Sequence, residues 1–480
     1  MSVTLAPDAA AAATGGELLR RGPTHFTGVG TDTRTLVAGQ AFVAVAGDRF
    51  DGHAFLAAAA ARGAALLVVS RTPGEELLAG LPSSVGLLRV ADTRLALGAL
   101  ARAWRRQVRP TVVAITGSVG KTTTKELTRA VLSQTGSTHA TSGNLNNDLG
   151  LPLTVLAMPE ATRFLVLEMG MNAPGEIAYL TGLAEPHLGC ITAIAPVHLE
   201  GLGTLEAVAA AKAELLAGLG ADALALVPGD EPLLEPHLRG LPPERVLRFG
   251  AGADDDMRLL HREGQGVRGS VLRLALRGGR PFSVELPLCG AHNARNALAA
   301  AGIGALLGVA EEPIALALQN APELGHRSAL RRLGRWQVLD DCYNANPVAV
   351  RAALDTVVDL AAGRPVMAVL GAMLELGVES ERYHREVGEH AARRRLDLLV
   401  TVGPQGAAIA EGARRGGLSP DRVVEVGAPA EAAAVLGARA PADAWILIKA
   451  SRGARLEGVL EGLRALVAAD PRQPGESSEP

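Results

Sequence analysis

Cysteine is scarce and dispersed in this chain. Among 480 residues there are three cysteines, Cys190, Cys289 and Cys342, and no CxxC pair occurs. This spacing argues against a disulfide framework and against a zinc site, because both depend on cysteines that recur at short, regular intervals. The sequence therefore predicts a protein of a reducing compartment, and we expect a cytoplasmic location.

Long apolar runs and runs of one charge are also missing. No stretch of 18 leucine-like residues occurs, and the N-terminus lacks a basic start followed by an apolar segment, so neither membrane insertion nor export is predicted. Lys and Arg number 47 against 50 Asp and Glu, which gives a net charge of −3 without a long basic run. Nucleic acid is therefore not an expected partner. A monomer is the default expectation.

Short apolar runs between helical stretches predict three α/β domains, and a chain of this length calls for several cores. Residues 1–107 form the small first domain. Residues 108–322 form a central domain with a parallel sheet, whose strands are predicted at 112–115, 164–167, 188–194 and 224–227. Residues 323–469 form a Rossmann-like third domain, with strands at 336–339, 366–370, 398–402 and 445–448. Residues 470–480 contain almost nothing apolar and predict a disordered tail.

A glycine loop connects the first strand of the central domain to a helix. It consists of Thr116, Gly117, Ser118, Val119, Gly120, Lys121, Thr122 and Thr123. Backbone N–H groups and a helix N-terminus in this arrangement bind phosphate oxygens, so we expect ATP here. Lys121 would reach the terminal phosphates and Thr122 would provide a hydroxyl ligand for Mg²⁺. Ile115 replaces the first glycine of the usual motif, which argues against ordinary GTPases. The alternative is a glycine turn without a ligand.

Further polar residues follow predicted strands or begin predicted helices. Glu168 lies at the carboxyl end of a strand, where nucleotide sites gather, and could hold a second Mg²⁺. His198 is either a metal ligand or a satisfied loop histidine. Taken alone, Lys212 is better explained as a lysine on the surface of a helix, and Asn293 and Asn296 as helix caps.

Taken in order, these motifs resemble the Mur ligase family, ATP-dependent amide-forming enzymes of peptidoglycan precursor synthesis. The family pattern is a short TGxxGKT loop followed by Glu, His, Lys and HNxxNA. Segments of the first domain resemble the uridine-diphosphate-binding segments of the family; they contain Asp32, Thr33, Arg34, Asp51, Gly52 and His53. The strings GNLNN at 143–147 and DCYNANP at 341–347 resemble the branch that adds D-alanyl-D-alanine. The DYAHTPD-like and DNPR strings expected of the branch that adds diaminopimelate or lysine are absent.

The resemblance implies the reaction and its partners. ATP, with Mg²⁺ at two sites, would phosphorylate the free carboxylate of UDP-N-acetylmuramoyl-tripeptide, and the amine of D-alanyl-D-alanine would attack the acyl phosphate. Lys121, Glu168, His198 and Lys212 would be catalytic. The last three would bind metal together with Thr122, provided that Lys212 is carbamylated, as in the family.

The resemblance also implies the remaining binding residues. The nucleotide would contact Asn293, Asn296, Arg327, Asp341 and Tyr343. The substrates would contact a second group, formed by Asn144, Asn146, Asn344, Asn346, Lys449 and Ser451. Two positions depart from the family pattern, since Ala372 and Ala450 replace the usual Asp and Gly. A tripeptide-forming Mur ligase, a folylpolyglutamate synthase and a degenerate nucleotide-binding protein are the alternative functions.

Overall fold

The computed structural model describes residues 3–47 and 50–469. The predicted disordered tail lies outside the described residues, as do Asp48 and Arg49 of the segment that resembles a uridine-diphosphate site. Three main sheets follow one another along the chain, and helices connect most of their parallel strands. This arrangement and the comparisons given below confirm the predicted three-domain α/β fold.

The first sheet has five strands in the order β2-β7-β6-β5-β4, and β1 pairs with β3 in a separate antiparallel ribbon. Residues 41–69 form a strand, a loop, a helix and a second strand. The strands are β1 (Thr4–Leu5), β2 (Glu17–Arg20), β3 (Phe26–Thr27), β4 (Val29–Gly30), β5 (Ala41–Val43), β6 (Leu66–Val69) and β7 (Gly86–Arg89). The helices are α1 (Pro7–Thr14), α2 (Leu56–Ala61), α3 (Glu75–Gly80) and α4 (Thr93–Val108).

The second sheet has nine strands in the order β16-β15-β14-β13-β12-β11-β8-β10-β9. The strands from β9 to β14 along this order are parallel, as predicted, and the sheet then continues into the antiparallel pairs β14–β15 and β15–β16. The strands are β8 (Thr111–Thr116), β9 (Thr138–Ala140), β10 (Phe164–Glu168), β11 (Leu188–Ile191), β12 (Leu224–Pro228), β13 (Val246–Gly250), β14 (Met257–Gly264), β15 (Ser270–Ala275) and β16 (Phe282–Leu286). The helices are α5 (Lys121–Leu132), α6 (Gly150–Leu156), α7 (Glu176–Ala184), α8 (Leu199–Leu202), α9 (Leu205–Ala217), α10 (Glu235–Leu238), α11 (Ala291–Leu306) and α12 (Glu311–Gln319).

The third sheet has the order β17-β18-β22-β19-β20-β21, and all of its pairs are parallel except the β17–β18 hairpin. All four predicted strands are present. The strands are β17 (Ala329–Leu333), β18 (Trp336–Asp340), β19 (Val366–Leu370), β20 (Leu398–Val402), β21 (Val423–Val426) and β22 (Trp445–Lys449). The helices are α13 (Pro347–Ala361), α14 (Ser380–Arg393), α15 (Gly406–Arg415), α16 (Pro429–Arg439) and α17 (Glu457–Ala469).

One predicted strand is too long. The apolar run at 188–194 suggests a strand to residue 194, yet β11 ends at Ile191. The next residues bond to the glycine loop instead: the Thr192 hydroxyl donates to the Val119 carbonyl at 2.5 Å, and the Ala193 carbonyl accepts from the Ser118 amide at 2.8 Å. A pattern of apolar residues does not predict these polar contacts. In the structure they hold the glycine loop against the residues that follow β11.

Buried contacts fix the first domain against the second. The indole of Trp104 in α4 is fully buried and donates to the Met158 carbonyl at 3.0 Å. Beside it, Glu185 accepts hydrogen bonds from three arginines of α4, Arg102, Arg105 and Arg106. The long helix α4 thus packs against both the first and the central domain. Within the described residues, none of the helices has the length and apolar character needed to cross a membrane.

Candidate active site

The glycine loop lies at the carboxyl edge of the central sheet. Ile115 pairs with Glu168 of β10, and Thr116 pairs with Ile191 of β11, so three neighbouring strands end together. Gly120 precedes α5 as its N-cap without a side-chain hydrogen bond. The first N–H groups of this helix therefore remain available to an anion.

Both glycines of the loop are required by space and by backbone conformation. Gly117 has φ 144°, and a Cβ there would lie 2.0 Å from the Thr192 hydroxyl. Gly120 has φ 84°, and a Cβ there would lie 2.3 Å from the Asn296 Oδ1 atom. Positive φ and these approaches both exclude a side chain. The loop is a compact, braced turn, which is what a phosphate cradle needs.

Lys121 begins α5 and folds back over the loop. Its ammonium donates to the Gly117 carbonyl at 2.7 Å. Desolvation by the surrounding atoms lowers the pKa of Lys121; the Glu168 carboxylate opposes this shift, and the Arg327 guanidinium adds to it. These charges therefore act on one another, although Arg327 comes from the third domain. The structure brings together three residues that the sequence assigns to one site.

Glu168 is a buried carboxylate that is only half satisfied. One oxygen accepts from the Asn146 side-chain amide at 2.8 Å, and its backbone amide donates to the Thr141 hydroxyl at 3.0 Å. The other oxygen is buried and has no hydrogen-bond partner among the described residues. A buried carboxylate oxygen left in this state is costly unless a cation or a donor arrives. Asn146 thereby joins the site through Glu168.

Lys212 is fully buried in α9, so the interpretation as a helix-surface lysine is wrong. Because this helix consists mostly of Ala and Leu, its sequence does not mark the buried face, and in the structure Lys212 lies on that face. Its Nζ atom has no hydrogen-bond partner in the described part of the chain. Burial, reinforced by the charge of Lys121, places the pKa of Lys212 well below its ordinary value. A neutral amine is therefore favoured there.

His198 follows β11 and is the N-cap residue of α8, with φ 54°. Its Nδ1 atom lies 2.5 Å from Glu375 Oε2 in the third domain. The hydrogen bond from His198 lowers the pKa of Glu375. His198 is thus held across a domain boundary, which the sequence does not indicate.

The two asparagines of the HNxxNA motif are not helix caps. Gly290 is the N-cap of α11, and it makes no side-chain capping bond. Asn293 donates to the Cys289 carbonyl at 2.9 Å, while Asn296 lies against Gly120 and accepts from the Thr124 hydroxyl at 3.4 Å. Both side chains are buried because α11 packs on α5. Asn296 is therefore part of the glycine-loop environment.

The third domain contributes a loop after β18. The Arg327 guanidinium lies over the Tyr343 ring at 4.1 Å, and Asp341 Oδ1 accepts from the Ser328 amide at 2.9 Å. The Ser328 hydroxyl lies 3.5 Å from His292 Nε2 of the central domain. The three residues assigned to the nucleotide from this domain are therefore neighbours, at the face that meets α11.

Several predicted substrate residues hold this loop in shape. Lys449 is buried and donates to Asp341 Oδ2 at 2.5 Å and to the Asn344 carbonyl at 3.0 Å. Asn346 caps α13 by accepting from the Ala349 amide, and Ser451 donates to the Ala345 carbonyl at 3.3 Å. The Asn344 side chain accepts from the amide of the next residue. These contacts fix the backbone on which a substrate would be placed.

The predicted residues of the first domain form two local groups. Asp32 pairs with Arg34, whose hydrogen bond lowers the pKa of Asp32 to about 2. Asp51 accepts from His53 and from Arg71, and His53 is buried and also accepts from the Ser70 amide. A Cβ on Gly52 would lie 2.8 Å from the Ala44 backbone. Thr33 and Asn144 lie in turns near the surface.

One polar cluster is missing from the sequence interpretation. His326, Asp340 and Cys342 present potential metal-ligating atoms within 4.8 Å of one another, because the β17–β18 hairpin brings His326 back to Asp340. However, the Arg331 guanidinium and His326 both bond to Asp340 Oδ2, and the Cys342 thiol donates to Oδ1. The buried carboxylate is therefore satisfied by protein donors.

Family models and sequence relatives both indicate the same protein family. Residues 25–105, 115–304 and 326–452 match the models described as "Mur ligase family, catalytic domain", "Mur ligase middle domain" and "Mur ligase, glutamate ligase domain". The chain is 38% identical to the UDP-N-acetylmuramoyl-tripeptide–D-alanyl-D-alanine ligase of Bacillus subtilis (strain 168), covering 92% of this chain and 93% of the relative. The ligase of the same name from Escherichia coli (strain K12) is also 38% identical, with coverages of 91% and 93%.

Solved structures agree with the sequence relatives. A crystal structure of MurF from Acinetobacter baumannii superposes with a TM-score of 0.87 at 31% identity, covering 96% of this chain and 99% of that one. MurF from Thermotoga maritima in complex with ADP gives a TM-score of 0.80 at 28% identity, with coverages of 92% and 98%. A Mycobacterium tuberculosis folylpolyglutamate synthase shares only the fold, at 20% identity and a TM-score of 0.59. The chain belongs to the Mur ligase family, whose members are ATP-dependent enzymes that form amide bonds.

Proposed function

We propose that the chain joins D-alanyl-D-alanine to the free carboxylate of UDP-N-acetylmuramoyl-tripeptide at the expense of ATP, in peptidoglycan precursor synthesis. Relatives at 38% identity over more than nine tenths of the chain carry this activity in their names. The DCYNANP string lies in the loop after β18, beside Arg327. Transfer of a phosphoryl group to a carboxylate gives an acyl phosphate, which the amine attacks while phosphate leaves.

The single observation that carries this proposal is the convergence of charges around the glycine loop. Lys121 interacts electrostatically with Glu168 and with Arg327, and Lys212 interacts with the charge of Lys121. A site that brings the anionic γ-phosphate and a carboxylate together requires several positive charges, since the two anions otherwise repel. The braced loop and the free N-terminus of α5 add backbone donors to this set.

We propose that two magnesium ions bind here, and the residues present offer ligands that fit this metal. Glu168 offers a buried oxygen without a partner, and the buried Lys212 amine has none either, within the described residues. A neutral amine reacts with carbon dioxide to give a carbamate, and its oxygens are ligands of the kind that Mg²⁺ prefers. We infer that Thr122, Glu168, His198 and carbamylated Lys212 hold the metal. Bound magnesium would neutralise charge on the phosphates.

The remaining residues then have positioning roles. Lys121 would leave the Gly117 carbonyl for the phosphates of the nucleotide. Asn293 and Asn296 would line the adenine side, because they lie behind Gly120 at the start of α11. Arg327 would bring positive charge from the third domain and keep water from the acyl phosphate. Asp32, Thr33, Arg34, Asp51, Gly52 and His53 would bind the uridine diphosphate, and Asn144, Asn146, Asn344, Asn346, Lys449 and Ser451 would shape the peptide site.

Phosphate release tests this function directly. The protein is mixed with ATP, Mg²⁺, D-alanyl-D-alanine and UDP-N-acetylmuramoyl-tripeptide, the tripeptide being supplied in diaminopimelate and lysine forms. We expect stoichiometric phosphate and pentapeptide only when both acceptor and donor are present. L-alanyl-L-alanine is the matched control for the amine. Phosphate release with a folate and glutamate, or release that needs neither peptide substrate, would contradict the proposal.

A further inference from the structure

The carboxylate of Glu375, in the third domain, contacts His198 of the central domain. Glu375 lies in the segment of residues 371–377, Gly-Ala-Met-Leu-Glu-Leu-Gly, in which it is the only charged residue. Its Oε2 atom lies 2.5 Å from His198 Nδ1, and its backbone carbonyl accepts from the Glu200 amide at 3.2 Å. Two contacts therefore join this segment to the short helix that begins after His198.

Both partners have an unusual backbone conformation. Glu375 has φ 64° and His198 has φ 54°, in the left-handed region that non-glycine residues uncommonly adopt. Such conformations are costly and persist only where the surroundings impose them. Gly377 has φ 58°, and a Cβ there would lie 3.2 Å from the Glu200 backbone, so the two segments touch closely. Two residues of positive φ therefore contact each other where the domains meet.

The third domain holds its side of this contact firmly. The Met373 amide donates to His384 Nε2 at 2.9 Å, while His384 Nδ1 donates to the Ser380 carbonyl at 2.7 Å. The Leu374 amide donates to the Ser451 hydroxyl at 3.0 Å. Both hydrogen bonds are made by the two residues that directly precede Glu375. The carboxylate is therefore presented from a fixed backbone and not from a free loop.

The contact determines what His198 can do. A carboxylate only accepts hydrogen bonds, so Nδ1 of His198 must carry the proton, and in the neutral ring Nε2 then has a free lone pair. A histidine that donates to a carboxylate in this way is oriented and made more basic toward a metal or a metal-bound water. Ala372, where the family usually has Asp, carries no charge and is buried. Glu375 alone therefore supplies this carboxylate within the segment.

We propose that Glu375 is a positioning residue that sets the orientation and tautomer of His198, and does so only while the third domain is docked on the central domain. This inference rests on the proposed function, because His198 acts there at the magnesium site. It makes the metal site complete only in the arrangement that also brings Arg327 near Lys121.

The test measures metal affinity without turnover. Binding of Mn²⁺ to the full-length protein with a non-hydrolysable ATP analogue is followed by electron paramagnetic resonance of free Mn²⁺. We expect Glu375→Ala to weaken Mn²⁺ binding by about ten- to a hundredfold, the usual range for loss of a residue that supports a metal ligand. Glu375→Gln keeps an acceptor oxygen and should lose less. Glu379→Gln is the matched control, since in the described part of the chain Glu379 pairs with Arg382 at the surface, two residues beyond this segment, and this variant should bind Mn²⁺ like the wild type.

The outcomes separate this inference from the proposed function. Steady-state assays of Glu375→Ala should show a raised KM for Mg²⁺ with an unchanged KM for the UDP substrate. If Glu375→Ala fails to fold in a thermal scan, Glu375→Gln carries the comparison. If the wild type has ligase activity but Glu375→Ala binds Mn²⁺ as tightly as Glu379→Gln does, the proposed role of Glu375 is wrong. The proposed function would then still stand. A wild type without ligase activity would overturn the proposed function, while a selective loss of Mn²⁺ affinity in Glu375→Ala would still support the inference.

Discussion

Replacing Lys212 by methionine should make the protein more stable and inactive at once. Methionine has a similar length and fills the same apolar space in α9, but it has no amine to bury. The wild-type Nζ atom is fully buried without a partner among the described residues. Its removal eliminates a desolvation cost, while the proposed carbamate ligand is lost. Opposite effects on stability and turnover are the mark of a residue kept for function.

The expected gain in stability follows from the difference in protonation of Lys212 between the native and the unfolded state. Unfolded Lys212 has its ordinary pKa of 10.5, whereas burial places the native pKa well below it. Between these two values the unfolded state binds one proton that the native state lacks, so the wild type gains stability as pH rises, by roughly 1.4 kcal/mol per pH unit. At pH 7 we expect Lys212→Met to be more stable by at least about 2 kcal/mol. The advantage should shrink as the pH approaches 10.5.

The assay compares the two proteins by calorimetry between pH 7 and 10. EDTA and buffers freed of carbon dioxide keep the lysine as a free amine. A difference of about 1 kcal/mol in the free energy of unfolding shifts the Tm by about 2–4 °C for a domain of the size of the central domain. In the ligase assay, Lys212→Ala should have no turnover, and short carboxylic acids should restore part of it by supplying the missing oxygen ligand. A Tm difference that stays constant with pH would show that the native amine is charged, and the reasoning would fail.

Three further substitutions test the surroundings of the glycine loop. Gly120→Ala should abolish ATP binding in a calorimetric titration, because φ 84° and the Asn296 amide 2.3 Å from the new Cβ displace the loop; retained affinity would show that the turn tolerates a side chain. Asn146→Asp should lower the Mg²⁺ concentration needed for half-maximal activity, since a second carboxylate beside Glu168 adds negative charge that attracts the cation; an unchanged Mg²⁺ requirement would remove Asn146 from the site. Lys125→Met should lower the Tm by several degrees, because Lys125 is fully buried and donates to the Thr141 carbonyl at 2.6 Å; an equal Tm would mean that this bond contributes nothing.

Features with local causes could be predicted from the sequence. The turn from β8 to α5 follows from glycines, a lysine and an apolar strand that lie side by side in the chain. Fully buried strands such as β19 and β20 form continuous apolar runs, and both were bounded correctly. By contrast, β14 to β16 lie at one edge of the central sheet, where only Met257 of β14 and alternate residues of β15 and β16 are buried. Their weak apolar pattern gave no prediction.

Features that depend on distant contacts could not be predicted. Lys212 lies in a helix whose alanines and leucines carry no directional pattern, so its burial becomes visible only when the helix is packed. Asn296 resembles a cap in the sequence, because only the packing of α11 on α5 brings it to Gly120. The contact of His198 with Glu375 joins two domains and has no signal in the sequence. The roles of the individual site residues therefore remain predictions until the substitutions are made.

The buried lysines show how structure separates support from chemistry. Lys125 and Lys449 are both buried, and each donates to a backbone carbonyl and pairs with a carboxylate, so their charges are fully compensated. Lys212 is equally buried, but it has no compensation among the described residues. A lysine of the first kind stabilises the fold because removing it leaves its partners unsatisfied. A lysine of the second kind costs stability in the free protein, and selection for a bound group explains why it is kept. Glu168 shares this feature, since its second oxygen is buried without a partner among the described residues, and both residues belong to the proposed metal site.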